Sequence, residues 1–162
     1  MIRPDRTLAA TDDARIRART LLRAATHAAL AVTDADTGTL GISRIAWGIG
    51  PDGGPVTLIS ALAPHFAALK AHPACAMMVG EPGHKGDPLT HPRLMLRATA
   101  VFVAPEDPTR PALRDRWLAD HPKSALYVDF ADFAFVRFTP LSALLNAGFA
   151  RAFRLTADDL AP

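Results

Sequence analysis

The sequence predicts an α+β domain, mainly β: a small antiparallel barrel with helices packed over it. Apolar runs of strand length follow one another with only short helical segments between them, in the order α-β-β-β-α-β-β-α-β-β. That order does not suit a doubly wound parallel sheet, which alternates strand and helix throughout. Turn-forming clusters such as DADTG and PDGGP divide the runs. Neither GxxxxGK[ST] nor GxGxxG occurs, so the phosphate-loop and dinucleotide folds lack their signature.

Thr11, followed by Asp12 and Asp13, reads as an N-cap with acids in the first turn. Ile16, Leu21, Leu22 and Ala25 continue as an apolar stripe, predicting a helix that runs to about His27. ALAVTD, from Ala28, and GISRIAWGIG, from Gly41, form a hairpin, and VTLIS after PDGGP is a third strand. Pro64 suits the first turn of a helix, PHFAALKAH, with Phe66 and Leu69 on one face and Pro73 closing it. ACAMMVG is a strand, and EPGHKGDPLTHP, rich in proline and glycine, is a loop presenting polar groups. In RLMLRATAVFVA, Leu94, Leu96, Ala98 and Ala100 alternate with Met95, Arg97 and Thr99 as in a half-buried strand. Leu113, Trp117 and Leu118 predict a helix over 107–120, with a further short turn over Ser124 to Tyr127. FAFVRFTPLSALLN is two strands or one strand bent at Pro140, and Thr156 opens a last helical turn.

At 162 residues, with 49% apolar and 21% charged side chains, the chain has the composition of one ordinary globular domain spanning 1–162. No run approaches the length of a membrane span, and the first twenty residues lack the apolar stretch of a signal peptide. The expectation is therefore a cytoplasmic protein with no membrane partner. The lone Cys75, between two alanines, is expected to be a buried, inert thiol. A net charge of +2 supplies no electrostatic reason to bind nucleic acid, and the crowded Arg15, Arg17, Arg19 and Arg23 read as a solvated helix face.

Chemistry-bearing motifs are sparse. His72 with Cys75, and His84, Asp87 and His91, are ligand types at short spacing, but His72, His91 and His121 each precede proline, as turn residues do. Ser43, Ser60, Ser124 and Ser142 are the only serines, and none sits in GxSxG. The informative pairing is Arg44 with the segment from Ser60 to Phe66, where a strand runs into a helix N-terminus. Orphan amides, the helix dipole, a hydroxyl, His65 and an arginine together are a phosphate cradle by physical type.

The strings SRIAW from Ser43, GPVTLISALAPH from Gly54, GDPLT from Gly86 with Arg93, HPKSALYVDFADF from His121 and GFARA from Gly148 resemble one family. It is that of the pyridoxamine 5'-phosphate oxidase-like FMN-binding split-barrel proteins, in particular the haem-utilisation branch. The resemblance runs from about residue 20 to about 153 and rests mainly on the GDPL and HPKSALYVDFADF blocks. It implies an FMN-binding split β-barrel, a homodimer with FMN at the subunit interface, and a redox reaction on a small-molecule substrate. By the same resemblance, Ser43, Arg44, Ile45 and Ala46 line the cofactor from the second strand, Ile45 and Ala46 through backbone groups. Arg44 and, at the end of the third strand, Ser60 hold phosphate, with His65 near the basic position that follows; Ala61, Leu62 and Arg93 are further cofactor contacts, as is Arg151 from a turn over Gly148 to Arg151 at the dimer seam.

Where the branch often shows His-Thr-x-Asn-Leu, this chain has His65-Phe66-Ala67-Ala68-Leu69, without the two polar side chains. The C-terminal arginine motif of pyridoxamine phosphate oxidases has no apparent counterpart, which points away from vitamin B6 oxidation. A non-catalytic module holding haem or a flavin is the alternative. Tyr127, Phe130 and Phe133 are expected to pack a short helix against the barrel, with Asp129 and Asp132 capping or hydrogen-bonding its ends.

Overall fold

The computed structural model describes residues 7–148 and 151–162; residues 1–6 and two members of the expected Gly148–Arg151 turn, Phe149 and Ala150, lie outside the described residues. Along the chain run β1 (Leu8–Ala9), α1 (Asp12–Ala24), β2 (His27–Thr33), β3 (Leu40–Ala46), β4 (Gly48–Ile49), β5 (Pro55–Ser60) and α2 (Pro64–Ala71). They are followed by β6 (Ala74–Val79), β7 (Arg93–Phe102), α3 (Arg110–Asp120), β8 (Phe133–Asn146) and β9 (Ala152–Thr156), with single 3-10 turns at Pro88–Thr90, Pro122–Leu126 and Asp158–Leu160. The α+β, mainly β class of the sequence reading is the class observed. β1, β4 and β9 were not anticipated: two are only two residues long, and β9 follows a segment read as a turn.

The sheet runs β1-β9-β8-β7-β6-β2-β3, and every pairing is antiparallel except β1 with β9. β8 is one strand, bent where Pro140 pairs with Ala98 and the register slips by a residue. Proline donates no ladder hydrogen bond, and the extra residue at a bulge sharpens the local twist. The bend lets one strand serve two neighbours: its first half pairs with β5 and its second half with β9, while β7 lies along both. β3 and β5 then face each other without forming a ladder. Buried Thr57 of β5 spans this split, its hydroxyl donating to the Ala46 carbonyl at 2.6 Å.

Strand alternation fills the interior as expected, with Ala28, Leu30 and Val32 of β2 and Leu94, Leu96, Ala98 and Ala100 of β7 all buried. A second apolar cluster, including Val56, Leu113, Trp117 and Phe135, seats α3. Its first turn begins at Arg110 rather than Asp107, because Asp107 folds back to accept from the Thr109 amide and hydroxyl.

α1 is capped by Thr11, whose hydroxyl accepts from the Ala14 amide at 3.2 Å. Its buried face differs from the expected stripe: Ala14, Ala18 and Leu22 face the core, Ile16 is 63% exposed, and the helix ends at Ala24, not His27. Two alanines four residues apart allow the helix backbone to approach the sheet closely, and this outweighs the larger apolar side chain one turn away. The basic face is solvated and laced by Arg15–Asp12 and Arg17–Asp13 pairs.

Trp47, fully buried between β3 and β4, ties these layers together. Its backbone amide donates to Thr26 O and its indole Nε1 to Leu22 O, each at 2.9 Å. Its carbonyl accepts from His121 Nε2 at 2.9 Å, which puts the ring proton on Nε2. The His121 ring in turn stacks on Trp117 of α3 at 4.2 Å.

Replacing Trp47 with Phe removes the indole donor and leaves the Leu22 carbonyl buried without it; the expected loss is about 2–3 kcal/mol in urea unfolding. A loss under about 0.5 kcal/mol would show that Trp47 does not tie α1 to the sheet. Burial pushes the Cys75 thiol up to about 11, from an ordinary value of 9.0. At pH 8 Cys75 is therefore expected to react with a disulfide reagent about a hundredfold more slowly in the folded protein than in denaturant.

Candidate functional site

The expected cradle begins on β3. Strand alternation divides its four residues between two faces: Ile45 is buried in the core and Ser43 lies on the same side, opposite Leu30, while on the other side Arg44 is exposed and Ala46 packs against the second apolar cluster. Ile45 can therefore meet a ligand only through its backbone, and the Ala46 carbonyl is already engaged by Thr57. β4 pairs with β5 in the register Gly48↔Val56. β3 itself forms no ladder with β5, and no hydrogen bond joins Arg44 to Ser60 among the described residues.

Ser60 is committed on both sides. Its hydroxyl donates to Asp132 Oδ2 at 3.0 Å and accepts from the Leu62 amide at 3.1 Å, while the Ala61 amide donates to the Asp132 carbonyl at 2.6 Å. Asp132 thus fixes the turn from β5 into α2 rather than capping a helix. Asp129 makes a two-point contact with Arg114 instead of a cap. No sequence spacing links Asp132 to a residue 72 positions earlier; the β5–β8 register, with Ser60 opposite Phe133, brings them together. α2 follows with no side chain capping its N-terminus; of its first-turn amides, that of Phe66 donates to the Ala63 carbonyl at 2.9 Å. Within that turn His65 is half-buried, has no hydrogen-bond partner among the described residues, and is held below the usual histidine range by desolvation.

Arg93 and Arg151 do not join this group in one chain. Arg93 is two residues from Met95, and the row Arg44↔Ala29↔Met78↔Met95 crosses four strands, about 14 Å at ordinary strand spacing. The Arg93 guanidinium is pinned by the Leu89 carbonyl at 2.9 Å. Gly80 lets the loop return there: its φ is +103°, and a Cβ would lie 2.6 Å from Pro92 O. Arg151 is exposed, 5.8 Å from the Phe153 ring.

The loop histidine His91 accepts from the Gly83 amide at Nδ1, and its Nε2 donates to Lys85 O, so it organises the loop. Among the described residues no group of three acidic, histidine or cysteine side chains is placed to hold a metal ion. None of the described helices is long and apolar enough to cross a membrane.

No family model matches the chain. The non-canonical heme oxygenase HOZ of Arabidopsis thaliana, a chloroplastic protein, is 36% identical over 113 residues, 68% of this chain. This chain matches only 33% of that protein's length. One solved structure is 42% identical with a TM-score of 0.86, covering 96% of this chain and 99% of its own. The heme binding protein of Mycobacterium smegmatis shares the fold at 24% identity and a TM-score of 0.81, covering 99% of this chain and 62% of its own. A general stress protein 26 relative from Clostridium acetobutylicum, of the pyridoxinephosphate oxidase family, superimposes at a TM-score of 0.69 with 14% identity, over 93% of this chain and 99% of its own. The bent-strand barrel and these likenesses make the chain a split-barrel protein with the fold of the pyridoxinephosphate oxidase family, whose relatives include haem-binding and haem-oxygenase proteins.

Proposed function

We propose that this chain is a haem-binding split-barrel protein that works as a homodimer, with the ligand at the seam between two outer sheet faces. The observation that carries the reading is His65, half-buried, unpartnered among the described residues and kept neutral by desolvation. A neutral imidazole is what iron binds, whereas a neutral histidine is a weaker partner for a phosphate dianion.

The outer face supports the rest. Leu40 and Ile42 of β3 are 81% and 77% exposed and Met78 of β6 is 47% exposed, which is unusual for a sheet surface left to water. Arg44, Arg93 and Arg97 on that side form no ion pair among the described residues, while the helix arginines Arg15, Arg17, Arg114 and Arg116 all do. An apolar face with guanidinium groups outside any ion pair, Arg93 held only by loop carbonyls, suits a planar ligand with anionic arms. A second copy would bring one chain's Arg93 and Arg151 toward the other's Arg44 and His65. The haem would supply redox-active iron; the chain's part is to hold the propionates through arginines, present the His65 imidazole and keep water from the ring. The sequence match to a haem oxygenase favours this reading.

FMN-dependent oxidation or reduction of a small substrate is the second reading. Ser60 beside a helix N-terminus without a side-chain cap, with Arg44 outside any ion pair among the described residues, favours it, since those groups suit a phosphate.

Sedimentation should show a dimer, and Ile42→Glu, which buries a charge at the seam, should leave a folded monomer. A wild-type monomer at tens of micromolar would end the seam model. Titration with haem should give a Soret band saturating at about one per protomer, with His65→Ala weakening binding at least about tenfold. Because burial lowers the His65 pKa, haem binding should persist as pH falls through about 6.5 and decline only below it. The sign is the same for stability: below about 6.5 the unfolded chain takes up the proton first, so His65 disfavours the folded state as pH falls. Retention of FMN through gel filtration, lost in Arg44→Ala, with no haem uptake, would establish the flavin reading instead.

A further inference from the structure

A second cleft, of about 580 Å³, opens between α2, the end of β7, the start of α3 and segment 129–134. Segment 131–133, which carries Asp132, separates it from the Arg44–Ser60 group. Two aromatic pairs line it. Phe66 of α2 meets Phe102 of β7 edge-on at 4.9 Å, and Phe130 meets Phe133 edge-on at 6.5 Å, with Phe130 58% exposed at the rim.

Two cations stand among these rings. The Lys70 ammonium lies 4.0 Å over the Phe102 centroid and forms no ion pair among the described residues. Arg110 faces the cleft from α3, 5.9 Å from the Phe135 ring, and donates to the Val128 carbonyl at 3.4 Å. Asp129, the one acid among the lining residues, is held by Arg114 in a two-point contact, forms no ion pair with Lys70, and also feels the charge of Arg110.

We propose that this cleft binds a planar aromatic carboxylate, independently of the haem or flavin site. Its volume is that of a small-molecule site. The ring would pack against the phenylalanines, whose edges and faces both accept an aromatic partner. The carboxylate would reach Lys70 and Arg110, converting two positive charges against apolar walls into charge-assisted hydrogen bonds. A neutral ring would leave these cations as they are, and a cationic ring would be repelled, so charge sets the specificity and the rings set the shape.

The test is a titration of the full chain with 2-naphthoate and with its neutral analogue 2-naphthol, followed by amide chemical shifts, with and without haem. Saturable shifts at Phe66, Lys70, Phe102 and Phe130, with naphthoate bound about tenfold more tightly than naphthol, are expected. Lys70 is exposed, so Lys70→Gln should fold normally and erase that preference. Lys70→Glu should reverse it, favouring 2-naphthylmethylammonium. Equal affinity for naphthoate and naphthol, shifts confined to the neighbourhood of Arg44 and Ser60, or no saturation at millimolar ligand would each overturn the proposal. Since no arm reads haem or FMN uptake, failure here and failure of the haem reading are separate results.

Discussion

The arrangement around Trp47 is the constraint on which the rest of the structure depends. One buried residue makes three bonds: its indole donates to the Leu22 carbonyl near the end of α1, its backbone carbonyl accepts from His121 just after α3, and its backbone amide donates to the Thr26 carbonyl just before β2. The indole bond is buried and the His121 bond part-buried, so losing the indole donor would leave the Leu22 carbonyl with an uncompensated desolvation cost. The helices are thereby held against the sheet at the point where β3 breaks into β4. That break aims β3 toward β5 without letting the two form a ladder, and the Thr57 hydroxyl spans what is left.

Bending of β8 at Pro140 is the complementary device. A straight strand of fourteen residues would carry a single flanking order; the slipped one presents its halves to β5 and β9 in turn. The result is a barrel open along one seam, with a broad outer face. On that face arginines outside any ion pair and exposed apolar side chains occur together, whereas Arg15, Arg17 and Arg116 of the helices pair with aspartates a turn away. Exposed pairs of that kind contribute little stability. They do, however, leave the sheet face as one part of the surface positioned to act on an anion.

The two proposed ligand sites share a wall but not a chemistry. Asp132 fixes Ser60 and the entry to α2, while two residues away Phe130 rims an aromatic cleft facing the other side. A short segment between two sites is held by backbone bonds, among them Ala61 N to Asp132 O and Phe133 N to Phe130 O.

Much of this was legible in the chain itself. Alternation in RLMLRATAVFVA, the Thr11 cap and the prolines at 64 and 140 state local preferences of backbone and side chain, and they hold because nothing in the tertiary structure opposes them. The buried face of α1 was not legible: Ile16 is the larger hydrophobe, but close packing of Ala14 and Ala18 on the sheet decided which face turned inward. Nor was the partner of Ser60, because strand register joins residues 72 apart by hydrogen-bond geometry that no local pattern encodes. The motif blocks named the residue types of a site, Arg44, Ser60 and His65 among them. Tertiary structure decided that Ser60 spends its proton on Asp132, that His65 is half-buried without a partner, and that Arg93 lies about three strand spacings from Arg44. Side-chain type is a property of one position, whereas proximity, burial and the partner of each polar group come into being only when distant strands meet.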